Sequence, residues 1–131
     1  RQVRDVLYVG DLLCAFEAVR RALPVTEGQI YNVGGGPDNT TSLLELTRQI
    51  EDLIGRKVVY ELEQRRPGDQ LVYITDFSKL HRDTGWAPQV SLRGTLEEIY
   101  AFWKRNRELF APAAAEERVA AATLQEVPGA A

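Results

Sequence analysis

The sequence contains no methionine in its 131 residues, not even at position 1. A natural chain begins with Met, so this one is expected to be cut from something longer. Cysteine occurs once, at Cys14, which excludes an intrachain disulfide and fits a cytoplasmic setting. Histidine also occurs once, at His81, and one Cys with one His cannot make a zinc cluster, so no metal is expected. Basic residues are outnumbered: 16 Lys and Arg face 19 Asp and Glu, a net charge of −3, which gives no support for a nucleic-acid partner. No apolar run approaches the length of a membrane span, so no membrane partner is expected. The opening Arg1-Gln2-Val3-Arg4-Asp5 lacks the apolar core of a signal peptide.

What is present is ordinary for a globular chain: 44% hydrophobic and 27% charged residues, enough for one domain or a piece of one. Val6-Leu7-Tyr8-Val9 predicts a strand, with Asp11 as the N-cap of a following helix. Leu12, Phe16, Val19 and Leu23 recur on one face of that helix, which Pro24 ends. Cys14 is expected there as a buried, inert thiol. Gln29-Ile30-Tyr31-Asn32-Val33 predicts a second strand. The loop Gly34-Gly35-Gly36-Pro37-Asp38-Asn39 leads into Ser42-Leu43-Leu44-Glu45, a capping box that starts a helix ended by Gly55.

That glycine loop invites a phosphate-cradle reading, because backbone amides and helix N-termini attract anions. Its spacing is neither G-x-G-x-x-G nor G-x-x-x-x-G-K-[ST]. The alternative is a loop whose glycines let the backbone pass close to something. Residues 58–62 and 71–74 predict two further strands. Asp76 is an N-cap candidate for a short helix that Gly85 ends. His81 is expected to be exposed and structural. Ser91 caps the last long helix, where Leu92, Leu96, Ile99, Trp103 and Phe110 mark a buried side. Its aromatics are expected in a core, since no basic interleaving accompanies them. Residues 111–131 are Ala-rich and read as a flexible tail without chemistry.

Arg65-Arg66-Pro67-Gly68-Asp69-Gln70 carries the densest chemistry. Pro-Gly is a natural centre for a type II turn, which would hold Arg66 and Asp69 at its two ends. Arg can donate two parallel hydrogen bonds to phosphate, and Asp accepts from hydroxyls. A plain surface turn with an ion pair across it is the competing reading.

Four stretches together resemble one family. They are Arg4-Asp5-Val6-Leu7-Tyr8-Val9 with Asp11-Leu12; Tyr31-Asn32-Val33-Gly34-Gly35-Gly36; Arg66-Pro67-Gly68-Asp69; and Asp76 to Lys79 leading to Gly85-Trp86-Ala87-Pro88. In order and spacing they look like the C-terminal part of the extended short-chain dehydrogenase/reductases, the NAD-dependent nucleotide-sugar epimerases and dehydratases. Within that family, Gly36 to Thr40, Ser42 to Leu46 and Pro67 to Gln70 look most like CDP-paratose (CDP-tyvelose) 2-epimerases. Gly10 departs from the many relatives that carry a polar or bulkier residue before Asp11.

The resemblance implies an α/β fragment of a larger fold: edge strands of a Rossmann-like parallel sheet plus a small α+β substrate-binding lobe. Residues 1–110 would be the C-terminal nucleotide-sugar-binding segment. It implies that Arg4 and Arg66 contact the diphosphate of a nucleotide sugar, Asp69 lies near the ribose and Leu43 packs on the base. It implies NAD bound mainly by a missing N-terminal part, which would also supply the Gly-rich turn and the Tyr-x-x-x-Lys acid/base set. The chain is expected to lack both motifs, and to be inactive alone. An epimerase, a dehydratase or a decarboxylase of this family would all fit. A non-catalytic nucleotide-binding or regulatory module is a further alternative, and a homodimer is left open.

Overall fold

Backbone pairing around residue 4 organises the computed structural model, which describes residues 2–62 and 67–110. Strand β1 (Val3–Asp5) lies between β2 (Thr40–Ser42) and β3 (Val72–Tyr73). It pairs antiparallel with β2, Arg4 opposite Thr41, and parallel with β3, Arg4 opposite Tyr73. The α/β class stands, with a small mixed sheet. The helices are α1 (Val9–Arg21), α2 (Leu23–Thr26), α3 (Leu43–Ile54), α4 (Ser78–Thr84) and α5 (Leu92–Arg105). The chain divides into two units, residues 1–97 and residues 98–131.

Several predicted elements move. The first strand falls at residues 3–5, because Val6 donates its amide to the Asn39 carbonyl at 3.0 Å and Val9 is already helical. Residues 29–33 and 58–62 form no strand, since among the described residues no ladder partner runs beside them. Val59 is 96% exposed. Pro24 sits at the second position of α2, where its missing N–H breaks no helical bond; α1 has already ended at Arg21.

Asp11 does not cap α1. It lies in the first turn, 4% exposed, and accepts the backbone amides of Gln89 at 3.0 Å and Val90 at 2.9 Å. The Trp86 indole donates to the Asp11 carbonyl at 3.1 Å. One carboxylate thus ties the start of α1 to the loop after α4.

The core of the first unit forms on Ala15, Leu80 and Trp86, packed by Leu7, Ala18, Val19, Tyr31, Val33 and Phe77. Phe77 meets Trp86 edge to face, centroids 5.6 Å apart. Small Ala15 lets α1 approach Leu80 closely, so the buried face of the helix is rotated from the predicted one. Phe16 is left 59% exposed, and Leu23 and Cys14 are exposed too, contrary to expectation.

α3 follows its local signals. The Ser42 hydroxyl accepts the Glu45 amide at 3.2 Å, the Glu45 carboxylate accepts the Ser42 amide at 2.9 Å, and Gly55 ends the helix at φ +71°. Ser91 caps α5 by accepting the Gly94 amide at 3.1 Å. α4 starts after Phe77 rather than Asp76; the Asp76 carboxylate accepts the Ser78 amide at 2.9 Å.

In the second unit Ile99, Phe102, Trp103 and Phe110 are exposed, not core. Tyr100 and Trp103 stack at 5.9 Å, and the Lys104 and Arg107 cations close over their rings. Basic side chains do interleave with these aromatics.

Candidate functional site

Three of the four predicted site residues lie on or beside strand β1. In an extended chain residues two apart share a face, and Gln2 and Arg4 both reach the segment before β3. The Arg4 guanidinium donates to the Gln70 carbonyl at 2.7 Å and to the Val3 carbonyl at 2.8 Å. The Gln2 side-chain amide donates to the Asp69 carboxylate at 2.5 Å. Leu43 opens α3 beside β2; its amide donates to the Gln2 carbonyl at 3.2 Å, and its side chain is 52% exposed. Gly68 has φ +82°, the sign a type II turn requires at its third residue. Arg66 lies outside the described residues. So bonds from Gln2 and Arg4 gather the Leu43 backbone and the Asp69–Gln70 segment into one patch at the start of β1. Gln2 was missed by sequence reasoning, although its spacing from Arg4 was the available signal.

Asp5, the other end of β1, faces inward. Its carboxylate accepts the Gly36 amide at 2.9 Å and the Thr75 amide at 3.2 Å. Burial pushes the Asp5 carboxyl up, but the Gly36 amide and the Thr75 hydroxyl and amide outweigh it and hold the group below its usual range. The glycine loop is closed by the same junction. A Cβ on Gly34 would strike the Thr75 side chain, and one on Gly35 the Val6 carbonyl. At these two positions the protein's own atoms, the Thr75 and Asp5 side chains and the Val6 carbonyl, occupy the room a side chain would need. Among the described residues no cluster of His, Cys, Asp and Glu could hold a metal ion.

A depression of about 350 Å³ lies beside this junction, walled by Pro37, Ile74, Thr75, Phe77 and His81. His81 is exposed, as expected, and its ring nitrogen Nδ1 lies 3.0 Å from the Trp86 carbonyl.

The expectation about Tyr-x-x-x-Lys needs correction. Tyr100 and Lys104 do stand at that spacing. The Lys104 ammonium, however, lies over the Tyr100 ring, 4.5 Å from its centroid, an ordinary contact between adjacent turns of a helix. Tyr31 also meets a lysine, Lys79, through its ring face at 4.9 Å. The Tyr31 hydroxyl instead donates to Asp83 at 2.9 Å; burial and that carboxylate push it above the usual phenol range, so it stays protonated.

No family model matches the chain. Among curated proteins, CDP-paratose 2-epimerase of Salmonella typhi is 30% identical over 100 residues, 76% of this chain and 30% of that protein. dTDP-glucose 4,6-dehydratase of Escherichia coli is 32% identical over 118 residues, 82% of this chain and 32% of that protein. Among solved structures, UDP-glucose-4-epimerase from Stenotrophomonas maltophila, with bound NAD and formylated UDP-arabinopyranose, superposes with a TM-score of 0.70 at 29% identity, covering 82% of this chain and 31% of that one. The chain matches a fragment of the NAD-dependent nucleotide-sugar epimerases and dehydratases. It spans about a third of the length of these epimerases and dehydratases. The patch on β1 therefore lies in a chain whose relatives are named for nucleotide sugars.

Proposed function

We propose that this chain binds the nucleotide-diphosphate end of a nucleotide sugar, as the C-terminal part of an NAD-dependent nucleotide-sugar epimerase. Arg4 and Arg66 clamp the diphosphate, Asp69 accepts from ribose hydroxyls, and Leu43 packs on the base. Two guanidinium forks suit a diphosphate because each donates two parallel bonds, and their separate origins fix its direction. Binding at this remote end orients the sugar for the reacting end of the site. The observation that carries the reading is the gathering of Arg4, the Leu43 backbone and the Asp69–Gln70 segment at the start of β1.

NAD is assigned to the part of the parent outside this chain, and no redox step is assigned to a residue here. The chain alone is inactive on this reading, residues 1–110 do the binding, and the parent is cytoplasmic. The 111–131 tail lies outside the described residues. A dehydratase is the second reading, supported by the 32% identity to dTDP-glucose 4,6-dehydratase.

Calorimetric titration of the 131-residue chain with CDP, UDP and ADP tests the clamp, beside an Arg4→Ala/Arg66→Ala double variant. Binding of one nucleotide, lost in the double variant, is expected and names the base. Absence of binding to all three overturns the reading.

A further inference from the structure

We infer that Gln2 is a positioning residue for the ribose of a nucleoside diphosphate, a role that rests on the clamp reading above. Gln2 touches both flanks of the patch at once. Its side-chain amide donates to the Asp69 carboxylate at 2.5 Å, and its backbone carbonyl accepts the Leu43 amide at 3.2 Å. Asp69 and Leu43 are thus held by one residue that lies two positions from Arg4. The Asp69 segment is held a second time by the Arg4–Gln70 bond of 2.7 Å.

The chemistry of the donor matters. A glutamine amide is neutral, so it orients the carboxylate without adding a cation beside it. An oriented acceptor loses less freedom when a hydroxyl arrives, and preorganisation of this kind appears directly as affinity. The group that gains is the one facing Asp69, the ribose hydroxyls, rather than the diphosphate. Gln2 should therefore govern discrimination between ribose and its deoxy forms.

The test titrates the 131-residue chain with CDP and UDP and with their 2′,3′-dideoxy counterparts. Wild type is expected to prefer the ribose forms. In Gln2→Leu that preference shrinks by about tenfold, the scale of a lost bond to a charged group. Affinity for the dideoxy forms stays at the wild-type level. Adding Gln2→Leu to Asp69→Ala changes the ribose preference no further, because Gln2 acts on the ribose only through the residue-69 carboxylate. Gln2→Glu keeps the size of the side chain, replaces the donor by a second carboxylate, and gives the same loss; it decides the matter should Gln2→Leu fail to fold. An unchanged ribose preference in both folded variants overturns the role of Gln2 and leaves the clamp standing. Failure of wild type to bind any of the four nucleotides overturns the clamp, and the role of Gln2 with it.

Discussion

Arg4 spends two of its five donors on carbonyls of its own chain, those of Val3 and Gln70. Those bonds hold the guanidinium in place before any ligand arrives. Arg4→Ala is expected to weaken nucleotide binding by ~1.5–3 kcal/mol, the range for a hydrogen bond to a charged group, as read by calorimetry. Arg4→Lys should lose most of it too, because an ammonium cannot reproduce the fork. Asp5 makes a pH prediction. Its folded carboxyl titrates below the usual range, so the unfolded chain binds the proton more readily. Its contribution is complete above the ordinary carboxylate range and is lost as pH falls through the folded value. Urea denaturation from neutral into acid pH should show that loss in wild type, and a flatter acid limb in Asp5→Asn. At this scale the sequence exposed the residues with distinctive chemistry, Arg4 and Asp69. It hid Gln2, whose amide acquires meaning only once residue 69 lies beside it.

Among the elements, α3 was legible from end to end because its signals are local: Ser42 and Glu45 at one end, Gly55 at the other. Ser42→Ala is expected to destabilise the chain by about 1 kcal/mol through the lost cap, with nucleotide affinity nearly unchanged. An unaltered melting temperature would remove the box from the account. Strands were less legible, since a ladder needs a partner that spacing alone does not reveal. Residues 29–33 and 58–62 have strand composition, yet the sheet forms on residues 3–5, 40–42 and 72–73. Asp11 was misread for a related reason: its partners, Gln89 and Val90, are remote in sequence. Asp11→Ala orphans two backbone amides at about 1–3 kcal/mol each. Denaturant unfolding should therefore register one of the larger single-residue losses in the protein.

For the whole molecule, assembly turns on exposed apolar surface. Val9, Leu13 and Phe16 recur at four and three residues along α1, and each is more than half exposed. Apolar surface arranged in one stripe drives association when it is left uncovered. Light scattering on the 131-residue chain is expected to show a concentration-dependent dimer, and Phe16→Glu should return it to monomer. A monomer at every concentration would rule the stripe out as a self-contact.

The Gln2–Asp69 bond joins residues 67 apart in sequence, and the β1–β3 ladder stands beside it. The patch on β1 exists only after a long loop has shut, and shutting a loop has an entropic cost that grows slowly with its length. A nucleotide gripped by Arg4 on one side and Asp69 on the other would act as a reversible staple across that loop. Each tenfold rise in nucleotide above its dissociation constant would then add about 1.4 kcal/mol to the stability of the whole unit. Ligand and chain closure would be two readings of one equilibrium.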